Sequence, residues 1–182
     1  MKVTRLQIPD VCLVEPQAFG DARGFLLVSW VDEVFRREVA DVAFIQDNHS
    51  RSRRHTLRGL HFQGEHTQGK LVRCAAGRIW DVVVDVRRAS ATFGQWVGAE
   101  LSDENHHQLW VPAGFAHGFL VLSESADLHY KVTERYHQAS ERTLMWNDPA
   151  VGIEWPIEPG VTPLLSPKDA VGSLMSVLET LP

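Results

Sequence analysis

The chain has 182 residues, 44% hydrophobic and 23% charged, which suits one domain over residues 1–182 with a real core. A net charge of −5 argues against general nucleic-acid binding while leaving room for a local basic pocket. Apolar runs fall far short of the roughly 20 residues that span a bilayer, MKVTRLQIPDV lacks a secretory apolar core, and Cys12 and Cys74 make no disulfide framework, so a soluble cytoplasmic protein is expected.

Short apolar runs recur between turn signals. Val11–Val14 and Phe25–Val31 read as strands, with the turn residues Gly20, Asp21 and Gly24 between them. Val31–Glu38 reads as a short helix, because Val31, Val34 and Phe35 share one helical face. Strands are then expected at Phe44–Asp47, Thr56–Phe62, Leu71–Ala75, Ile79–Val86, Trp96–Leu101, Gln108–Val111, Gly118–Leu122, Asp127–Thr133 and Arg142–Trp146. Such regular spacing with few helices predicts an antiparallel sandwich or barrel. Trp155 to Pro163 is proline-rich and irregular. A C-terminal helix is expected from Ser166 to about Leu178, with Ser166 as N-cap, Pro167 at the first position and Asp169 at the third.

Chemistry concentrates in Leu57–Leu71, LRGLHFQGEHTQGKL, which holds Arg58, His61, Gln63, His66, Gln68 and Lys70. An arginine fork suits a phosphate, a histidine takes a proton near neutrality, and a lysine meets developing negative charge. An anionic ligand beside acid–base chemistry is therefore indicated. Strict alternation would put Arg58 and His61 on opposite faces, unless Gly59 hosts a bulge that re-aims one of them. A metal site is the competing reading, but Gln63 breaks a His-x-His pair and adjacent His106 and His107 would point opposite ways. Asp81 and Asp85 share a strand face with Val83 and are read as solvated charges on an exterior face. Tyr130 shares the core face with Leu128 and Val132. His117 lies between Gly114 and Gly118, where a tight turn either presents it to a ligand or simply joins strands. Asp169 already has a local role as a carboxylate at the third helical position.

With these residues in place, the chain resembles the dTDP-4-dehydrorhamnose 3,5-epimerases of rhamnose biosynthesis, from about Ile8 to Asp169. The motifs are GDARGF (residues 20–25), QDN (46–48), LRGLHFQ (57–63), QGKLV (68–72), WDVVVDVR (80–87), PAGFAHGF (112–119), Tyr130-Lys131, WNDP (146–149) and SPKD (166–169). The resemblance implies a mainly β, cupin-like jelly-roll sandwich with a few short helices. It implies a homodimer and catalysis with no metal or cofactor on a nucleotide-diphosphate sugar. It implies His61 as base oriented by Asp169, Tyr130 as proton donor and Lys70 beside the keto oxygen. Arg58 and His117 correspond to diphosphate and sugar contacts, and Gln46, Asp47 and Asn48 lie in the nucleotide-side motif. Tyr136 and Glu141 correspond to further ligand contacts, and Arg23 to one donated across the dimer interface.

Two positions depart from the family pattern. A second Phe and a Glu usually follow the Arg-Gly-Phe turn, where this chain has Leu26 and Val28. Both positions help hold the base, so a CDP- or GDP-linked sugar stays open beside the dTDP sugar. Inversion at carbon 3, carbon 5 or both also stays open. A metal-dependent cupin enzyme and a non-catalytic sugar-nucleotide binder are the readings from other classes.

Overall fold

The computed structural model describes residues 1–182. Two antiparallel sheets face each other. One takes β1 (Lys2–Arg5), β2 (Cys12–Glu15), β5 (Gln46–Arg53), β7 (Lys70–Ala76), β10 (Gln108–Val111) and β12 (Ser125–Val132) in the spatial order β1-β2-β10-β7-β12-β5. The other takes β6 (Leu57–Gln63), β8 (Arg78–Asp85), β9 (Trp96–Ser102), β11 (Phe115–Val121) and β13 (Glu141–Thr143) in the order β13-β6-β11-β8-β9. A separate hairpin, β3 (Ala18–Asp21) and β4 (Gly24–Leu27), pairs only with itself. This is the antiparallel sandwich expected from the strand spacing and the mainly β jelly roll implied by the resemblance.

The core between the sheets is built by alternation. Val72, Cys74 and Leu128 of the six-stranded sheet meet Ile79, Val83, Phe115, Phe119 and Val121 of the five-stranded one. Each such buried side chain contributes about 1.5–3 kcal/mol. The outer face of the five-stranded sheet is covered too. Leu60, Phe62, Val82, Val84 and Val86 pack under Val151, Met175, Leu178 and Leu181 of the C-terminal passage. A strand buried on both faces reads as a continuous apolar run, as in Val82-Val83-Val84. That corrects the reading of Asp81 and Asp85 as exterior charges, since both are fully buried. Asp85 accepts bonds from Arg87, Ser90 and Thr92, which hold its carboxyl near 2 despite its burial.

The short helix is α1 (Asp32–Glu38). Phe35 is its one buried side chain and packs with Cys12, Leu71 and Trp110 on the outer face of the six-stranded sheet. Asp32 and Glu33 in the first turn and Arg36 and Arg37 in the last suit its dipole.

The expected C-terminal helix does not form. Ser166 Oγ does accept the Asp169 N–H, but only a single 3-10 turn, Asp169–Val171, follows. The backbone beyond it is used by sheet edges. Ser173 N–H donates to the Thr143 carbonyl, Met145 N–H to Ser173, and Leu181 N–H to Val86. These strand-like bonds pack buried Leu178 and half-buried Leu181 against the sheet, which outweighs the local helical preference. No helix of the chain is long and apolar enough to cross a membrane.

Candidate active site

A cleft of about 260 Å³ opens between the sheets, lined by Gln46, Asn48, His61, Phe62, Gln63, Gln68, Lys70, Tyr130, Tyr136 and Glu141. His61 enters from β6 and Tyr130 from β12, on opposite sheets. Seven of the twelve residues expected at the site therefore meet in one cleft: Gln46, Asn48, His61, Lys70, Tyr130, Tyr136 and Glu141.

The aim of His61 depends on a bulge. The ladder pairs His117 with His61 but Phe119 with Arg58, so β6 carries one residue more than β11 across that interval. Residues directly opposite in an antiparallel pair share a face. Arg58 and His61 consequently both point inward, although simple alternation would separate them. Gly59 sits inside the bulge at φ 113°, where a Cβ would meet His117 O and Gly118 Cα at 2.6 Å. Arg58 donates from Nε to Ser52 Oγ at 2.9 Å and stands close enough to Tyr130 for its charge to act on the phenol.

His61 Nε2 lies 2.5 Å from Asp169 Oδ1. Asp169 is buried in the 3-10 turn and also takes a bond from Ser166 Oγ at 2.8 Å. Burial pushes its carboxyl up, but the bonds from His61, Ser166 and the Gly59 N–H more than offset this and hold it below the ordinary carboxylate range. An ionised Asp169 requires the proton on His61 Nε2, which leaves the Nδ1 lone pair free as a base.

Lys70 is buried on β7, and its Nζ makes no hydrogen bond within the chain. Burial lowers its pKa to about 8, with Asp81 and Glu141 pulling the other way. Tyr130 is shifted up by burial, with Arg58 opposing, so it stays protonated and able to donate. Glu141 accepts from Tyr136 Oη at 3.0 Å and Lys168 Nζ at 2.8 Å. Those bonds hold it ionised against its burial.

The other expected residues lie elsewhere. Asp169 stands behind His61. His117, directly opposite His61 on the ladder, uses Nε2 to bond Asp81 Oδ1 at 2.7 Å rather than lining the cleft. Asp47 falls on the outer face of β5 and pairs with Lys131. Arg23 sits on the β3–β4 turn, 90% exposed at its side chain and paired with Asp21. Sequence reasoning missed the role of Asp81, a buried carboxylate between His117 and Lys70. Its second oxygen has no hydrogen-bond partner, and burial raises its pKa. Its alternation with Ile79 and Val83 carried the signal. Gln63 and Gln68 also line the cleft and secure its walls. Gln63 donates to the His66 and Arg135 carbonyls and accepts the His137 N–H, while Gln68 donates to the Glu134 carbonyl.

A carboxylate-oriented imidazole, a protonated phenol and a buried lysine lining one cleft of a jelly roll are the groups of an enzyme that moves protons on a bound substrate. The family model described as dTDP-4-dehydrorhamnose 3,5-epimerase matches residues 5–176. The chain belongs to that family and is an epimerase, hence an isomerase. It is 54% identical over 177 residues to the dTDP-4-dehydrorhamnose 3,5-epimerase of Salmonella typhimurium, covering 96% of each chain. It is 52% identical over 183 residues to that of Pseudomonas aeruginosa, covering 100% of each. Among solved structures, the epimerase of Legionella pneumophila in complex with dTDP-4-keto-L-rhamnose superposes with a TM-score of 0.93 at 46% identity, over 97% of this chain and 93% of that one.

Proposed function

We propose that the chain converts dTDP-4-dehydro-6-deoxyglucose to dTDP-4-dehydrorhamnose by inverting carbons 3 and 5 without a metal, supplying an activated deoxysugar for polysaccharide synthesis. The observation that carries this is the entry of His61 and Tyr130 into one cleft from opposite sheets. A base on one face and an acid on the other is what inversion of a carbon acid requires.

His61 Nδ1 takes the proton from the carbon next to the C4 ketone. The electron pair moves onto the C4 oxygen, and the Lys70 ammonium stabilises the resulting enolate. The enolate collapses with the Tyr130 phenol proton added on the opposite face, leaving His61 protonated and Tyr130 ionised. Exchange with solvent resets both groups before the next carbon reacts. Each positioned acid or base typically gives about 10²–10⁴-fold. The relatives' names support dTDP as carrier and two inverted centres. Buried free thiols at Cys12 and Cys74, the latter pushed up to about 12 by burial, fit a reducing cytoplasm.

Incubation with the dTDP-linked 4-keto-6-deoxy sugar in deuterium oxide tests the reading. Deuterium is expected at carbons 3 and 5, and none with His61→Ala at unchanged circular dichroism. Full activity in that variant would remove His61 as base. Exchange with the CDP- or GDP-linked sugar but not the dTDP sugar would overturn the carrier. Label at one carbon alone would reduce the reaction to a single inversion.

A further inference from the structure

The β6–β7 and β12–β13 connections meet beside the cleft, where Glu65, His66 and His137 each bring one donor atom within 4.8 Å of the other two. We propose that this trio binds one divalent cation of the zinc class, which ties together the two connections that wall the cleft. The donor set, two imidazoles and a carboxylate, is one that Zn²⁺ takes with water in a fourth position.

The surroundings hold the trio in place. Ser140 Oγ donates its single proton to the Glu65 carbonyl at 2.9 Å. It must then accept at its 2.9 Å contact with His137 Nδ1. The proton is therefore on Nδ1, and His137 Nε2 keeps the lone pair a metal needs. His66 sits at φ 53°, an uncommon conformation for a side-chain-bearing residue. Its carbonyl accepts from Gln63 Nε2 at 2.6 Å. Both anchors, Gln63 and Ser140, are buried. Tetrahedral bonds of about 2.0–2.2 Å put donor atoms roughly 3.5 Å apart. The trio must close by about an ångström, which exposed Glu65 and His66 can do by side-chain rotation.

None of the three lines the catalytic cleft, but their neighbours do. Gln63 and Tyr136 both line it, and Gln63 bonds backbone groups of His66 and His137. The cation accordingly braces the wall and takes no part in proton transfer. The site is independent of the epimerase reading, because binding is measured without substrate.

The test titrates Zn²⁺ into tag-free, chelator-stripped full-length protein by calorimetry, with elemental analysis of the dialysed product. One zinc per chain is expected, together with a rise in Tm on zinc addition. His66→Ala, at an exposed position that leaves the fold undisturbed, should abolish both, as should His137→Ala. Glu65→Gln should weaken binding, while His106→Ala should bind as the parent does. Absence of stoichiometric zinc in the parent would overturn the proposal. So would parental zinc content and Tm response in His66→Ala.

Discussion

Lys70 lies buried in the cleft with a pKa of about 8, and its folded-state value therefore falls below the 10.5 of a free lysine. Between those two values the unfolded chain holds more protons than the folded one, so stability rises with pH across that window. Below pH 8 the buried charge weakens the fold by up to roughly 3 kcal/mol, from about 1.36 kcal/mol for each pKa unit. The same charge is what an enolate oxygen needs. Lys70→Met keeps the stem and removes the charge. It should lower epimerase turnover about 10²-fold or more while raising stability at pH 7 by ~1–3 kcal/mol. Urea denaturation of both proteins at pH 7 and pH 10 checks the sign, because the stability gap should narrow at the higher pH. A variant less stable than the parent at pH 7 would show that the lysine contributes net binding within the fold. Turnover of the parent should also fall as pH rises through about 8, when Lys70 loses its proton.

Two kinds of element were legible to different degrees. Most strands could be placed from alternation within a few residues, because each has one face on the central core. β5 was legible only at its start, since Gln46–Arg53 is polar on both faces and shows no apolar period. It is held by its full ladder to β12, a tertiary fact that local pattern does not carry. The C-terminal helix failed for the converse reason: a valid capping signal at Ser166 was overridden by bonds to Thr143 and Val86 formed across the chain. The candidate site was legible chiefly through motif order, and the Asp81 partner of His117 was not, because burial of both faces of β8 hid which side was exterior. The β6 bulge is where element geometry becomes chemistry. Gly59→Ala introduces a Cβ 2.6 Å from His117 O and Gly118 Cα, both backbone atoms that cannot rotate away. We expect a loss of roughly 2–4 kcal/mol and loss of turnover as His61 leaves its line with Asp169. Gly24→Ala also has positive φ, 132°, but meets nothing within 4 Å, so about 1–2 kcal/mol should suffice. Equal losses in chemical denaturation would mean that φ alone, not the close approach, governs Gly59.

At the scale of the whole molecule, the β3–β4 hairpin stands apart from both sheets. The β3–β4 hairpin presents Phe19, Phe25, Leu26 and Val28 to solvent, and it pairs with no other strand. Phe19 and Leu26 are cross-strand partners and share one face of the hairpin, and exposed apolar side chains grouped in this way mark an association surface. Lys70 is the one lysine or arginine among the residues lining the cleft, with Arg58 beside Tyr130, while a nucleotide diphosphate brings several negative charges, and the hairpin carries Arg23 at its tip. We therefore propose a two-fold dimer in which each hairpin completes the partner's cleft. Symmetry makes this testable without a structure. Arg23→Ala and His61→Asn should each be inactive as homodimers. After mixing under conditions that exchange subunits, half the dimers are mixed, and each mixed dimer holds one site with both groups intact. Activity should then return to about a quarter of the parental value. If Arg23 served the cleft of its own chain, every site in the mixture would lack one group and no activity would return.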